Sequence, residues 1–238
     1  IKEMHYDFKQ KLNKIDSQQY RNLRIPEIDW KLNEACEIFI KSIAEPRINN
    51  HLGFETSQRS RDDIRVLVVH EEGNGATISK PNQYIIVPPL GYMFYVSSKA
   101  VIFKEGCGTK TSKKCFVRQH DDDFENSFFD TSSFEWGEVN LTFSENEIVV
   151  YTDNTFSVEE LLLTYIKQHP YMHNAEDFLP TGSYVLPSGI ILGGTQNCIL
   201  PEHTHREIID IAVLITSGDL SMATHQFKQA KINLNQLN

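Results

Sequence analysis

Glu160–Pro170 reads ELLLTYIKQHP, and whether it is helix or strand decides what the middle of this chain is. Its apolar residues fit either period, and Pro170 suits the end of a strand as well as a helix stop. We read it as a strand, which makes it the last of a β-rich run. Ahead of it, EVNLTFSENEIVVYTD (Glu138–Asp153) forms a hairpin pattern, with Ser144–Asn146 as the turn between Val139–Phe143 and Glu147–Thr152. NQYIIVPP, YMFYVSSKAVIFKE and KKCFVRQH are rich in Val, Ile, Phe and Tyr and bounded by Pro, Gly and Ser, so they too read as strands.

Outward from this middle the period changes to that of helices. In IPEIDWKLNEACEIFIKSIAEP, Ile28, Leu32, Ala35 and Phe39 recur at helical spacing, with Pro26 in the first turn and Pro46 beyond the end. A shorter amphipathic segment precedes it, with Phe8, Leu12 and Ile15 on one side, and a further helix is expected from about Thr56 to Val68. Near the other terminus THREIIDIAVLITSGD carries Ile208, Ile211, Ala212 and Ile215 on one stripe, with Gly218 where a helix would end and a polar helix from Leu220 to about Asn233. The expectation is an α+β protein whose terminal helices pack together, with a central antiparallel sheet, sandwich- or barrel-like, inserted between them. Its parts would be a helical part over 1–70, a β-rich domain over 71–196, and C-terminal helices over 197–238 that pack on the first part. There is no internal repeat.

With 238 residues and 40% hydrophobic content the chain is long enough to bury a core. No stretch approaches the roughly 18 consecutive apolar residues of a membrane span, and no basic-then-apolar signal opens the sequence, so a soluble, unexported protein is expected. The four cysteines, Cys36, Cys107, Cys115 and Cys198, are widely scattered and read as reduced thiols. The net charge of -9 is concentrated: Gln119–Asp177 holds 14 acidic residues against one basic residue, Lys167. Such a block repels phosphates, which argues against sequence-reading of DNA and permits a basic protein partner or a surface past which DNA slides. A solvated sheet face is the simpler reading of the same block.

Cys198, His203 and His205, with Glu202 or Glu207, are the residue types that bind zinc, but their spacing matches no common structural zinc pattern. Thr204 and Glu207 also fit a T-x-x-E capping box at a helix start, which gives the same stretch a structural role. His120 with Asp121, Asp122 and Asp123 lacks the spaced ligands of a calcium loop and reads as a solvated acidic turn. EEGNGATISK (Glu71–Lys80) has two glycines without a phosphate-loop lysine, so it reads as a linker. PSGIILGGTQNC reads as a turn before a helix start, and Cys36 as an inert helix cysteine. The residues therefore suggest no catalytic, cofactor-binding or metal-binding set, and a protein that is not an enzyme.

Several short motifs are similar to a structural protein family of tailed bacteriophages, in particular crAss-like phages. Leu32, Asn33 and Ala35 match its Leu-Asn-x-Ala helix; Gly53, Phe54 and Glu55 its Gly-Phe-Glu; Asp62, Asp63, Ile64, Arg65 and Leu67 its Asp-Asp-hydrophobic-Arg-x-Leu. Tyr165, Ile166, Lys167 and Pro170 follow, and then Cys198, Leu200, Pro201, Glu202 and His205 in a Cys-x-Leu-Pro-Glu-x-x-His order. The sequence departs from the family at QHPYM (168–172), where a more basic KKP segment is expected. The resemblance implies a virion protein of the head-to-tail connector or tail, assembled in the host cytoplasm. It would form a ring of its own copies, a dodecamer matched to the portal, contact the portal and neighbouring ring proteins, and surround the genomic DNA without reading it. No cofactor and no membrane partner are implied. Trp30, Phe39, Phe54 and Arg65 are the expected interface anchors, together with the helix start at Thr204, His205 and Arg206. Two other readings stand beside this one: a small metal-dependent hydrolase using Cys198, His203, His205 and His120, and a module whose sheet binds a glycan or another tail protein.

Overall fold

The structure, a computed structural model, describes residues 1–15, 23–44, 62–75, 77–80, 83–106, 109–119, 132–144 and 147–220. The chain divides into two compact units, a helical unit drawn from Ile1–Val66 and His169–Asn238 and a sheet unit formed by Leu67–Gln168. The class is α+β, as expected. The boundaries differ from the sequence reading, because the short strands after His169 pair among themselves and belong with the helices, so the inserted part ends at Gln168 rather than Gln196.

In the helical unit, α1 (Lys2–Ile15) buries Met4, Phe8 and Leu12 at spacings of one helical turn. Helix α2 (Ile25–Ala44) begins where the Glu27 carboxylate accepts the Arg24 amide at 2.8 Å, satisfying one orphan donor of its first turn. It buries Ile28, Leu32, Ala35, Cys36, Phe39 and Ile40 on one stripe, and Asp29 on the same stripe. Helix α3 (His205–Leu220) turns Ile208, Ile209, Ala212, Val213 and Ile215 inward and packs against both α1 and α2, joined to α1 by a Lys11–Asp210 ion pair. The terminal helices thus form one body. Gly218 lies within α3 rather than ending it, a placement that costs a helix only about 1 kcal/mol. Residues 62–67 are helical and 3-10 turns that lead into a strand at Val68; the remainder of the expected helix, and the expected helix after Leu220, lie outside the described residues.

The sheet unit is an eight-stranded sheet. Its strands are β1 (Val68–Gly75), β2 (Thr77–Lys80), β3 (Gln83–Ile86), β4 (Tyr92–Gly106), β5 (Thr109–Gln119), β6 (Glu138–Ser144), β7 (Glu147–Tyr151) and β8 (Ser157–Lys167), in the order β1-β8-β4-β5-β6-β7-β3-β2. Glu160–Lys167 is therefore strand, the greater part of β8, and an interior one, paired with β1 on one side and β4 on the other; Gln168–Pro170 lie beyond its end. The expected hairpin forms between β6 and β7. Pairing is antiparallel except between β5 and β6, which run parallel, Phe116–Gln119 beside Glu138–Leu141. The two end strands, β1 and β2, are separated in sequence by Ala76 alone, so Gly75 and Thr77 lie within about 7 Å of each other. A sheet whose ends are that close must coil on itself, although it is not closed into a barrel. Tyr84, Ile86, Ile102, Leu141, Ile148, Leu161 and Leu163, from both halves of the strand order, consequently share one apolar core.

The inward alternation of β8 skips a step between Val158 and Leu161, where the register with β4 slips at Val101/Ile102. This bulge lets Val158, Leu161, Leu163 and Tyr165 all face the core. Each fully buried aliphatic side chain of this kind contributes about 1.5–3 kcal/mol from burial alone. Tyr95 packs edge-on to Phe143 with ring centres 5.1 Å apart and Tyr92 against Tyr165 at 5.7 Å.

Four further strands complete the helical unit. Strands β9 (His173–Asn174) and β12 (Thr195–Gln196) pair, and β10 (Ser183–Val185) and β11 (Ile191–Gly193) form a hairpin. The hairpin turn Leu186–Gly189 is closed by the Gly189 amide on the Leu186 carbonyl at 2.8 Å, with Gly189 at φ +85, a conformation that disfavours other residues.

Candidate functional site

The polar groups of the helical unit converge on α2. Asp29 lies on the apolar stripe and is fully buried. A carboxylate there is tolerable only with donors around it, and it has three: His5 Nε2–H at 2.7 Å, the Tyr184 hydroxyl at 2.7 Å and the Asn174 amide at 3.1 Å. Strand alternation in β10 points Tyr184 inward to reach it. Burial, and then the hydrogen bond to this carboxylate, push the Tyr184 phenol up. Asn33, one turn along α2, works as a single-residue strand: its Nδ2 donates to the Met172 carbonyl at 2.7 Å and its Oδ1 accepts the Met172 amide at 2.8 Å. Beside these pairs the Tyr171 hydroxyl, His173 Nδ1 and Asn174 Oδ1 are buried with no partner at hydrogen-bond distance among the described residues. The sequence reading passed over Asp29 as a site residue; its signal was a carboxylate on the same helical face as Leu32, Cys36 and Ile40.

A second cluster lies where the chain leaves β12. Cys198 Sγ lies 3.6 Å from His169 Nε2, which also accepts the Ile199 amide at 3.2 Å. His169 Nδ1–H donates to the Pro170 carbonyl at 2.6 Å, which fixes the ring's tautomer and orientation. Cys36 of α2 is 1% exposed. The Cys36 thiol, donating to Cys198, holds the Cys198 thiol well below its ordinary range against the opposing effect of burial, with His169 and the Leu200 amide adding to it. Cys36 itself is pushed up by that donation and by burial. Cys198 also lines an open cleft of about 480 Å³ together with Lys2, Glu3, Glu176, Thr195 and His205. At its rim the exposed Lys2 ammonium is 3.3 Å from Glu176 and 3.3 Å from Asp177. The Asn174 side chain, and then Lys2, hold the Asp177 carboxyl below its usual range.

The candidate zinc residues go separate ways. His203 Nε2–H donates to Asp63 at 2.6 Å, His205 Nε2–H donates to the Leu200 carbonyl at 3.1 Å, and Cys198 faces His169 and Cys36. Among the described residues no three His, Cys, Asp or Glu side chains are grouped to hold a metal ion. His120 and Asp121–Asp123 lie outside the described residues. The capping box does not form. A 3-10 turn, Glu202–Thr204, already runs into α3, so helical backbone starts after Pro201, and the buried Thr204 hydroxyl donates to the Pro201 carbonyl at 2.8 Å instead of receiving the Glu207 amide.

Of the expected interface anchors, Trp30 is 52% exposed, on the side of α2 away from its buried stripe. Arg65 and Arg206 are exposed, and His205 is partly buried. Phe39 and Thr204, at 4% and 1% exposure, are core side chains, so neither is available as a surface anchor in this fold; Phe54 lies outside the described residues. Exposed apolar side chains that the sequence reading did not single out crowd the β10–β11 hairpin: Leu179, Val185, Ile190 and Ile191 are 81%, 61%, 58% and 73% exposed. Val185 and Ile191 are cross-strand partners, so the alternation that turns Tyr184 inward turns this pair out. Of the acidic block, Glu135, Glu147, Asp153, Glu159 and Glu160 stand exposed on the sheet unit. No described helix is long and apolar enough to cross a membrane. No protein-family model matches the chain, and no curated protein matches it.

Proposed function

We propose that this chain is a non-enzymatic ring-building protein of a phage virion, placed in the head-to-tail connector or tail, whose work is assembly around a DNA channel. The observation that carries the reading is the β10–β11 hairpin. Leu179, Val185, Ile190 and Ile191 stand in solvent within 13 residues, held there by strand pairing and a fixed turn. A hairpin that presents apolar side chains to solvent, with Val185 and Ile191 paired across it, is what an association surface needs. Trp30 on α2 and Leu214 on α3, 52% and 51% exposed, add apolar contacts from the same unit. In a ring each copy offers one surface to a different surface of the next, so closure requires two unlike faces per chain. The hairpin serves as one and the exposed sides of the helices as the other. The acidic excess of the chain then keeps a phosphate-lined duplex from sticking as it passes.

The test is light scattering of the purified chain over a range of concentrations, beside virions produced without it. Assembly into multimers that Ile191→Asp and Trp30→Ala each weaken supports the reading. A chain that stays monomeric at every concentration, with intact, tailed and infectious virions in its absence, ends it.

A further inference from the structure

We propose that Cys198 is a reactive thiol of the open cleft, a site of S-thiolation by small organic disulfides, with His169 taking the thiol proton. The inference stands apart from the assembly reading and rests on the contacts of these two side chains. His169 Nδ1 lies 2.6 Å from the Pro170 carbonyl, which can only accept, so Nδ1 carries the ring proton. Nε2 receives the Ile199 amide at 3.2 Å, so it presents its lone pair. Cys198 Sγ stands 3.6 Å from the same Nε2, and toward a nitrogen in this state a thiol can only donate. A proton acceptor, held in place by two backbone groups, is thus folded against a thiol, the pairing that activates a sulfur nucleophile. Cys198 is half-buried and lines the cleft of about 480 Å³ with Lys2, Thr195, Glu202 and His205, so a small molecule reaches it from that side. Cys36, 1% exposed, has no such access.

Disulfide exchange asks for an accessible thiolate and a place for its proton, and the cleft supplies both. Cys198 gives its proton to His169 Nε2, which releases the Ile199 amide as it does so. The thiolate attacks one sulfur of the disulfide; the old S–S bond breaks as the new one forms, and the departing thiolate takes the proton from His169 to leave as a thiol. One thiol and one disulfide become one mixed disulfide and one thiol, with Cys198 oxidised and the departing sulfur reduced.

The experiment incubates the full chain with bis(2-hydroxyethyl) disulfide, an uncharged probe, quenches samples with acid and maps the peptides by mass spectrometry, so that all four cysteines are followed. The expected product carries one mercaptoethanol on Cys198, is reversed by dithiothreitol and leaves Cys36 unmodified. At pH 7 it should form at least roughly tenfold faster than the same adduct of N-acetylcysteine. His169→Gln keeps a polar side chain that takes no proton; it should slow Cys198 by roughly tenfold at pH 7 and move the midpoint of its rate against pH upward, toward the ordinary thiol value of about 8.5. A merely structural role for His169 would change the rate without moving that midpoint, and would overturn its part in the proposal. Should the variant fail to fold, the wild-type rate and its pH profile still decide. A Cys198 that reacts no faster than N-acetylcysteine, or a Cys36 modified ahead of it, overturns the proposal outright.

Discussion

The two units hold themselves together by different means. The sheet unit relies on apolar side chains from both halves of a coiled sheet, in which Leu141, Ile148 and Leu161 meet across the core and the buried partners are interchangeable in chemistry. In the helical unit a carboxylate of α2 sits in the middle of the packing, and residues from α1, β9 and β10 are pinned to it by directional bonds. An apolar core depends on volume, whereas a buried charge depends on every donor being present.

Substitutions separate these two modes. Asp29→Ala should have the largest effect, a loss of about 3–5 kcal/mol, because His5, Tyr184 and the Asn174 amide are left buried without their acceptor; urea denaturation followed by helical ellipticity measures it. A loss below about 1 kcal/mol would mean that Asp29 is not the organising group. Leu141→Ala in the sheet unit should cost about 2–5 kcal/mol, while Leu141→Met should cost less than about 1.5 kcal/mol by the same measurement. Equal penalties for the two would show that the sheet core is as particular about its atoms as the Asp29 cluster.

Smaller changes sharpen the contrast inside the cluster. Tyr184→Phe removes one donor and should cost about 1–2 kcal/mol, with the Asn174 amide still serving the same oxygen. The wild-type chain should also lose stability in alkali. The Tyr184 phenol is held up by burial and by its bond to Asp29, so as pH rises past about 10 the unfolded chain gives up this proton first. The contribution of this group is thus complete below that pH and declines above it, and Tyr184→Phe should flatten the decline in a series of melts from neutral to alkaline pH. Tyr171→Phe should have the smallest effect. At normal hydrogen-bond distance its buried hydroxyl has no partner among the described residues, and only the longer contact with the Tyr184 phenol is lost, so its removal should change stability by less than about 1 kcal/mol. A clear loss would reveal a bond to that hydroxyl.

The same difference explains what was legible in the sequence. The strands of the sheet unit announce themselves through β-branched and aromatic residues and through turns, and Ile28, Leu32, Ala35 and Phe39 mark the buried stripe of α2 by spacing alone. Periodicity reports which side of an element is apolar, so it reached the cores of both units. The parallel pairing of β5 with β6 was out of reach, because it depends on where the chain returns after a crossover. The site was less legible. Cys198 finds His169, 29 residues earlier, through tertiary packing that no local pattern encodes. His203 and His205, close in sequence, looked like joint ligands and turned out to serve Asp63 and the Leu200 carbonyl separately. Trp30 was singled out and is exposed, whereas Phe39 has the same aromatic character and is core; the helical stripe, and not the residue type, distinguishes them.

Ring assembly through the helical unit is the central claim, and class averages of the assembled particle test it most directly. The account expects closed rings built from many copies, with Val185 and Ile191 of the hairpin protected from hydrogen exchange relative to dispersed chains. Particles of a single copy, or rings in which the hairpin exchanges as freely as in the dispersed chain, would contradict it.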